Sequence, residues 1–331
     1  MTVKSVVCVA RRASAAVSAV ALIGLFSANT ALGTDYPTKP IRVIVPHAAG
    51  SAVDTVARQI APRLSEKLGQ QIIVDNRPGA GGIMGTDASA KSAPDGYTIM
   101  LAATQQVVNV SLYKSLPYDT LKDFVPVARV TSHPLLLAVS ASNPANSVAE
   151  LIEYIKKNPG ASYASIGPGT SLHLAGAYLG HEGKVKLNHI PYNVAVQDVA
   201  DVARGDVLMI FYPYPLLKGQ IESGKLKVLA HTGDAKLAYM PKLPTMVELG
   251  YKDFVLPAWH AFYAPTGTPR AHIDTLYRGI AEILKDPETA AKIEAVGIDI
   301  YLASPDEMTK IIPLEVERYK KIIESAGIEK Q

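Results

Sequence analysis

The chain has 331 residues, of which 33 are basic and 30 are acidic, so its formal net charge is only +3. A charge this small provides no basic surface for nucleic acid or for an anionic membrane, and we predict neither as a partner. The sequence holds one cysteine, which excludes an internal disulfide and a cysteine-rich metal site.

The first 33 residues have the pattern of a secretory signal peptide. Three basic residues and no acidic ones occur there, the apolar run 13–26 follows them, and small residues at 27–33 offer a cleavage site. We therefore predict export to the periplasm with cleavage near residue 33, which also removes Cys8. A retained membrane anchor is the alternative, but the apolar run is shorter than the ~20 residues that a membrane span needs.

The rest of the chain alternates short apolar runs with amphipathic patterns. The predicted strands are 41–46, 71–76, 97–102, 135–140, 163–167, 187–192, 207–212 and 226–232. The predicted helices are 53–68, 148–157, 171–180, 196–204, 273–285, 287–296 and 306–326. Strands that alternate with helices predict parallel sheets with helices on both faces.

A mature chain of this length exceeds one usual core, so we expect two doubly wound α/β lobes. The segments near 133–142 and 255–270 are predicted to cross between them. Domain 1 then comprises 34–136 and 256–331, and domain 2 comprises 137–255. Ligands of such sheets bind beyond the carboxyl ends of the strands, which places the predicted site in the cleft between the lobes.

A turn of small residues is the first candidate site. Gly167 and Gly169 allow a ligand close to the backbone, and Thr170 and Ser171 open the next helix. Helix amides without partners attract anions, and the turn has no Lys or Arg, so we predict that oriented dipoles and hydroxyls hold an anionic group there. A capped helix without a ligand is the alternative. His173, one turn further on, is predicted either to bind ligand or to pack in the core.

Several ordered blocks resemble the Bug-type periplasmic solute receptors of the tripartite tricarboxylate transporter family. The resemblance implies the two-lobed periplasmic binding protein fold of type II, with a hinge and an inter-domain cleft. It also implies a small carboxylate ligand, membrane permease subunits as partners and a monomer. The blocks include "YPTKPIRVIVP" (36–46), "DNRPGAGGIMG" (75–85), "SIGPGTSLHLAG" (165–176), "HIPY" (189–192), "LPTMVELGY" (243–251) and "FYAPTGTPR" (262–270).

The loop after the first strand departs from the family pattern. His47 stands where the family has an aromatic residue, and Ser51 replaces a glycine, whereas Gly50 and Asp54 are retained. The resemblance implies that this loop, including Ala49, reaches a ligand carboxylate through ordered waters. The alternative role of Asp54 is that of a helix N-cap.

The remaining predicted ligand-binding residues are Thr104, Tyr192 and Asp201. Asp201 matches a recurrent acid of the family, but an exposed helix acid is an equal alternative. Tyr212 and Tyr214 at the end of the strand 207–212 and Trp259 in the second crossing, together with His47, Val53 and Tyr192, are predicted either to make the pocket apolar and aromatic or to pack in the core.

The spacing of reactive residues argues against an enzyme. The glycine run 79–85 lacks G-x-G-x-x-G, no G-x-S-x-G occurs, and no two histidines are four residues apart. We predict no cofactor, no metal and a receptor that captures a small organic (di)carboxylate, aliphatic or aromatic, for a membrane transporter. Two alternatives stay open: an exported α/β hydrolase or transferase, and a periplasmic carboxylate sensor subunit.

Overall fold

The computed structural model describes residues 36–192, 197–237, 239–295 and 298–331. The predicted signal peptide lies outside these residues. Pro37–Gln331 forms one compact unit, which is described here by itself. Within the described residues no helix is long and apolar enough to cross a membrane.

A six-stranded sheet forms the first lobe. Its order is β11-β4-β10-β3-β1-β2, with β1 Ile41–Val45, β2 Ile72–Asn76, β3 Thr98–Ala103, β4 Phe124–His133, β10 Ala258–Pro265 and β11 Ile300–Ala303. Strands β1, β2 and β3 are parallel, whereas β10 runs antiparallel to β3 and β4, and β11 runs antiparallel to β4.

A five-stranded sheet forms the second lobe. Its order is β7-β6-β8-β5-β9, with β5 Leu136–Ser140, β6 Ser162–Ser165, β7 Asn188–Pro191, β8 Met209–Tyr212 and β9 Leu226–His231. Strand β5 is antiparallel to both β8 and β9. The prediction of parallel sheets therefore holds for β1–β3 and β6–β8 but was wrong for β5, β10 and β11, which run against their neighbours.

Ten helices lie in the described part of the chain. They are α1 Ala52–Leu68, α2 Ile83–Ala90, α3 Gln105–Leu112, α4 Val148–Lys157, α5 Ser171–Glu182, α6 Gln197–Arg204, α7 Tyr214–Glu222, α8 Arg270–Lys285, α9 Pro287–Ala295 and α10 Pro305–Ser325. Side-chain oxygens cap four of them through Ser51, Ser147, Thr170 and Ser304. The predicted helices are present within a few residues of these bounds, but the short helices α2, α3 and α7 were missed.

Thr232 joins the two chain crossings. Its hydroxyl accepts from the amide of Leu135 at 3.0 Å and donates to the carbonyl of Leu256 at 2.9 Å. Its own amide donates to the carbonyl of Leu135, and its carbonyl accepts from the amide of Leu256. Four hydrogen bonds from one buried residue therefore hold the crossings side by side. The exact domain boundaries stay a prediction.

Candidate functional site

Two turns lie at the carboxyl ends of parallel strands, one in each lobe. The loop 47–51 follows β1 and opens α1, and the turn 167–171 follows β6 and opens α5. The first amides of each helix, those of Ala52 and Val53 and those of Ser171 and Leu172, donate to no acceptor in the described part of the chain. Each turn therefore presents unpaired N–H groups at a helix N-terminus, as an anion site requires.

Asp54 holds the first loop in shape. Its carboxylate accepts from the amide of Gly50 at 2.8 Å, from Asn76 Nδ2 at 2.9 Å and from Arg58 Nε. Burial raises the pKa of Asp54, but these hydrogen bonds outweigh it and hold the pKa below its ordinary value. The N-cap is Ser51, whose hydroxyl accepts from the Asp54 amide at 3.3 Å, so the alternative that Asp54 itself is the cap was wrong.

His47 begins the loop and its ring is largely removed from solvent. Burial lowers its pKa to about 4, so the imidazole is neutral near pH 7. The carbonyl of His47 accepts from Asn76 Nδ2 at 3.1 Å. Ala49 and Gly50 are exposed, and Gly50 has a φ of 81°. The tip of the loop is thus open to a ligand, while its base is held by side chains.

The hydroxyl of Thr170 is used inside the second turn. It donates to the carbonyl of Gly167 at 2.8 Å and accepts from the amide of His173 at 3.3 Å. Ser171, only 7% exposed, has no side-chain hydrogen bond within the described residues, so its hydroxyl is available. Of the two hydroxyls in this turn, those of Thr170 and Ser171, the structure leaves that of Ser171 free.

Two neighbouring histidines support this turn. His173 Nδ1 accepts from the amide of Gly169 at 3.2 Å, and His189 Nε2 lies 2.7 Å from Ser165 Oγ. The two ring centroids are 4.2 Å apart. Burial, with a smaller effect of His189, lowers the pKa of His173 to about 4. The neutral imidazole of His173 thus positions the turn.

Gln105, which the sequence analysis missed, lies between the two lobes. Its Nε2 would be 3.3 Å from a Cβ added at Gly81 and 3.6 Å from a Cβ added at Gly169. The half-buried carboxamide has no hydrogen-bond partner in the described ranges. Its place in the sequence could have indicated Gln105 as a site residue. It lies two residues after the end of β3, at the same sheet edge as the loop that follows β1.

Thr104, one residue before Gln105, is buried and already bonded. Its hydroxyl accepts from the amide of Trp259 at 2.8 Å, and its amide donates to the carbonyl of Trp259 at 3.0 Å. Thr104 therefore extends the pairing of β3 with β10 and places Gln105 at the start of α3.

Tyr192 and Asp201 bind each other at the edge of the second lobe. The Tyr192 hydroxyl donates to Asp201 Oδ2 at 2.7 Å, and Arg204 also pairs with this carboxylate. The Tyr192 amide donates to the carbonyl of Ser165 at 2.8 Å, which places the main chain of Tyr192 beside the end of β6, from which the turn 167–171 starts. Asp201 lies on α6 with both oxygens engaged, so it orients Tyr192.

Two of the large aromatic residues considered for the pocket lie in the core. Tyr212 is 0% exposed and Trp259 is 1% exposed. The Tyr212 hydroxyl donates to Asp198, and Trp259 Nε1 lies 3.4 Å from Glu315 Oε2. Neither ring is available to a ligand, so the core alternative holds for both.

Comparison with known proteins agrees with this arrangement. The family described as "Tripartite tricarboxylate transporter family receptor" matches residues 56–328. The chain belongs to this family. It is 36% identical over 315 residues to protein BugT of Bordetella pertussis, a match that covers 93% of this chain and 97% of BugT.

Two solved structures of this group are similar over most of the chain. The periplasmic binding protein BugD has 34% identity and a TM-score of 0.76, over 89% of this chain and 100% of BugD. Rpa4515 of R. palustris, solved with adipate, has 30% identity and a TM-score of 0.78, over 89% of this chain and 100% of Rpa4515. The two-lobed α/β binding protein fold expected from the sequence is thereby confirmed.

Proposed function

We propose that this protein is a periplasmic receptor that captures a small organic carboxylate between its lobes and delivers it to the permease of a tripartite transporter. The single observation that supports it most is the position of Gln105, whose carboxamide is free within the described residues and lies between Gly81 of the first lobe and Gly169 of the turn 167–171, next to the unpaired amides of α5. The adipate in the Rpa4515 structure supports the ligand class.

The site suits a carboxylate better than a phosphate. Neither 47–51 nor 167–171 contains Lys or Arg, and Arg58, on the helix that follows the first of them, is paired with the buried Asp54. Attraction then comes from amide dipoles, from the Ser171 hydroxyl and from Gln105. Dipoles act at short range, so we expect the affinity to depend weakly on ionic strength.

The second polar group of the ligand is proposed to be a second carboxylate or another hydrogen-bonding group on an aliphatic body. Tyr212 and Trp259 are buried and the ring of Tyr214 stacks on that of Tyr239, so three of the four large aromatic side chains considered for an aromatic pocket are engaged elsewhere. Gln105 Nε2 lies near Gly169 of the turn 167–171, where it offers a donor.

Ligand binding is proposed to hold the lobes together. Gly169, in the second lobe, approaches Leu112 of α3 in the first, because a Cβ added at Gly169 would lie 2.3 Å from Leu112 Cδ2. The crossings tied by Thr232 would act as the hinge. A ligand that contacts both turns stabilises this closed arrangement by its differential affinity for it.

A hydrolase would need an activated nucleophile, and one pair resembles it. Ser165 Oγ and His189 Nε2 are 2.7 Å apart beside the unpaired helix amides. However, Ser165 is 0% exposed and its hydroxyl also accepts from the amide of Gly167. No carboxylate in the described ranges bonds the other nitrogen of His189. The pair therefore fits a structural role. The sensor alternative stays a prediction.

Titration calorimetry with adipate tests the proposal, with adipamide as the neutral analogue. Adipate should bind and adipamide should not, since only an ionised group gains from the helix amides. Ser171→Ala should weaken binding about tenfold or more, the usual effect of losing a hydrogen bond to a charged group. Ser223→Ala, an exposed serine at the end of α7, is the matched control. If none of a panel of mono- and dicarboxylates binds, the proposed function is refuted.

A further inference from the structure

A second cavity lies beside α5, on the face that carries His173 and Ala177. We call it the α5 groove. Its volume is about 860 Å³, which is within the usual range for ligand pockets. Its apolar walls come from α5, from the segment before β7 and from the segment after α10. These walls include Ala177, Val185, Leu187, Ala326 and Ile328.

Two buried donors line the groove. Tyr163 is 3% exposed and His173 is 8% exposed, and their rings stack at 13° with centroids 6.2 Å apart. His173 Nδ1 accepts from the amide of Gly169, so in the neutral ring the proton is on Nε2. Neither this N–H nor the Tyr163 hydroxyl has a hydrogen-bond partner in the part of the chain that the structure describes.

We propose that the α5 groove is a second ligand site, which takes a small carboxylate with an apolar body. Two unpaired donors that line the same groove favour a ligand with an oxygen acceptor, and an ionised acceptor forms the stronger hydrogen bonds. The body of such a ligand would pack against Val185, Leu187 and Ile328.

Charged residues at the rim of the α5 groove add little to its preference for a carboxylate. Lys184 and Lys186 are balanced there by Glu182 and Glu329. The two donors therefore distinguish a carboxylate from other ligands. The site does not rest on the proposed function, since His173 is the only residue that the groove shares with the predicted site in the cleft.

Fluorine NMR with para-fluorobenzoate tests the site, and para-fluorobenzamide serves as the neutral analogue. Tyr163→Phe keeps the ring and removes only the hydroxyl, so it should weaken para-fluorobenzoate binding about tenfold. Ala177→Trp should fill the groove and abolish that binding. Ala149→Trp, at an exposed position of α4, is the matched control and should bind as the wild type does.

The results separate the groove from the cleft. Weaker para-fluorobenzoate binding in Tyr163→Phe and none in Ala177→Trp, with the control unchanged, supports the second site. The proposal is overturned if the wild type does not bind para-fluorobenzoate, or if Tyr163→Phe binds it with wild-type affinity. Thermal unfolding checks that Ala177→Trp is folded, and Tyr163→Phe decides the question if it is not. Groove binding without any cleft ligand would refute only the proposed function.

Discussion

Replacing Gly169 by alanine should weaken ligand binding through a contact that forms only between the lobes. The residue has a φ of 76°, and an added Cβ would lie 2.3 Å from Leu112 Cδ2. The left-handed backbone costs an alanine about 1–2 kcal/mol in the folded protein, with or without ligand. Relief of the contact forces Leu112 off its preferred rotamer at about 0.5–1.5 kcal/mol, which is specific to the closed arrangement.

The two costs appear in different measurements. Chemical denaturation without ligand should show the backbone cost. Calorimetry should show the contact cost as a roughly two- to twelvefold loss of affinity. Gly160→Ala is the matched control, because Gly160 also has a positive φ of 97° but nothing within 4 Å of its added Cβ. This control should lose stability and keep its affinity.

A double-mutant cycle isolates the contact. Leu112→Val shortens the side chain that the new Cβ meets, so Gly169→Ala in that background should regain most of its affinity. Equal losses of affinity in both backgrounds would refute the reasoning, and so would wild-type affinity in Gly169→Ala alone. In either case the contact between Gly169 and Leu112 would play no part in ligand binding.

Three further predictions concern pH, the crossings and Gln105. The pKa of His173 is lowered from 6.5 to about 4, so the unfolded chain alone takes up this proton and the free energy of unfolding should fall as pH decreases through that window. His173→Gln should make this dependence shallower in denaturation experiments, and an unchanged slope would contradict the assignment. Thr232→Val leaves the Leu135 amide and the Leu256 carbonyl unpaired, so denaturant titration should show a loss of about 1–3 kcal/mol. Gln105→Glu should reduce adipate affinity more than Gln105→Ala in calorimetry, because it adds like charge, and the reverse order would exclude contact with a carboxylate.

Local sequence patterns were enough for most of the elements and for the position of the two turns. Ser51, Ser147, Thr170 and Ser304 mark helix starts because their hydroxyls satisfy amides a few residues later, which is a local interaction. The same patterns missed β10, predicted as part of a crossing. Its pairing with β3 and β4 depends on residues more than a hundred positions away.

The sequence by itself determined the fold class and the family, and it predicted the position of the two turns, because these follow from residue types at fixed local spacing. Only the tertiary structure decided which polar groups remain free. The predicted ligand contacts Thr104 and Thr170 already use their hydroxyls in hydrogen bonds with Trp259 and Gly167. Gln105 was inconspicuous until folding brought Gly81 and Gly169 beside it. A hydroxyl or amide binds whichever partner the fold brings within about 3 Å, and that distance is set by long-range packing.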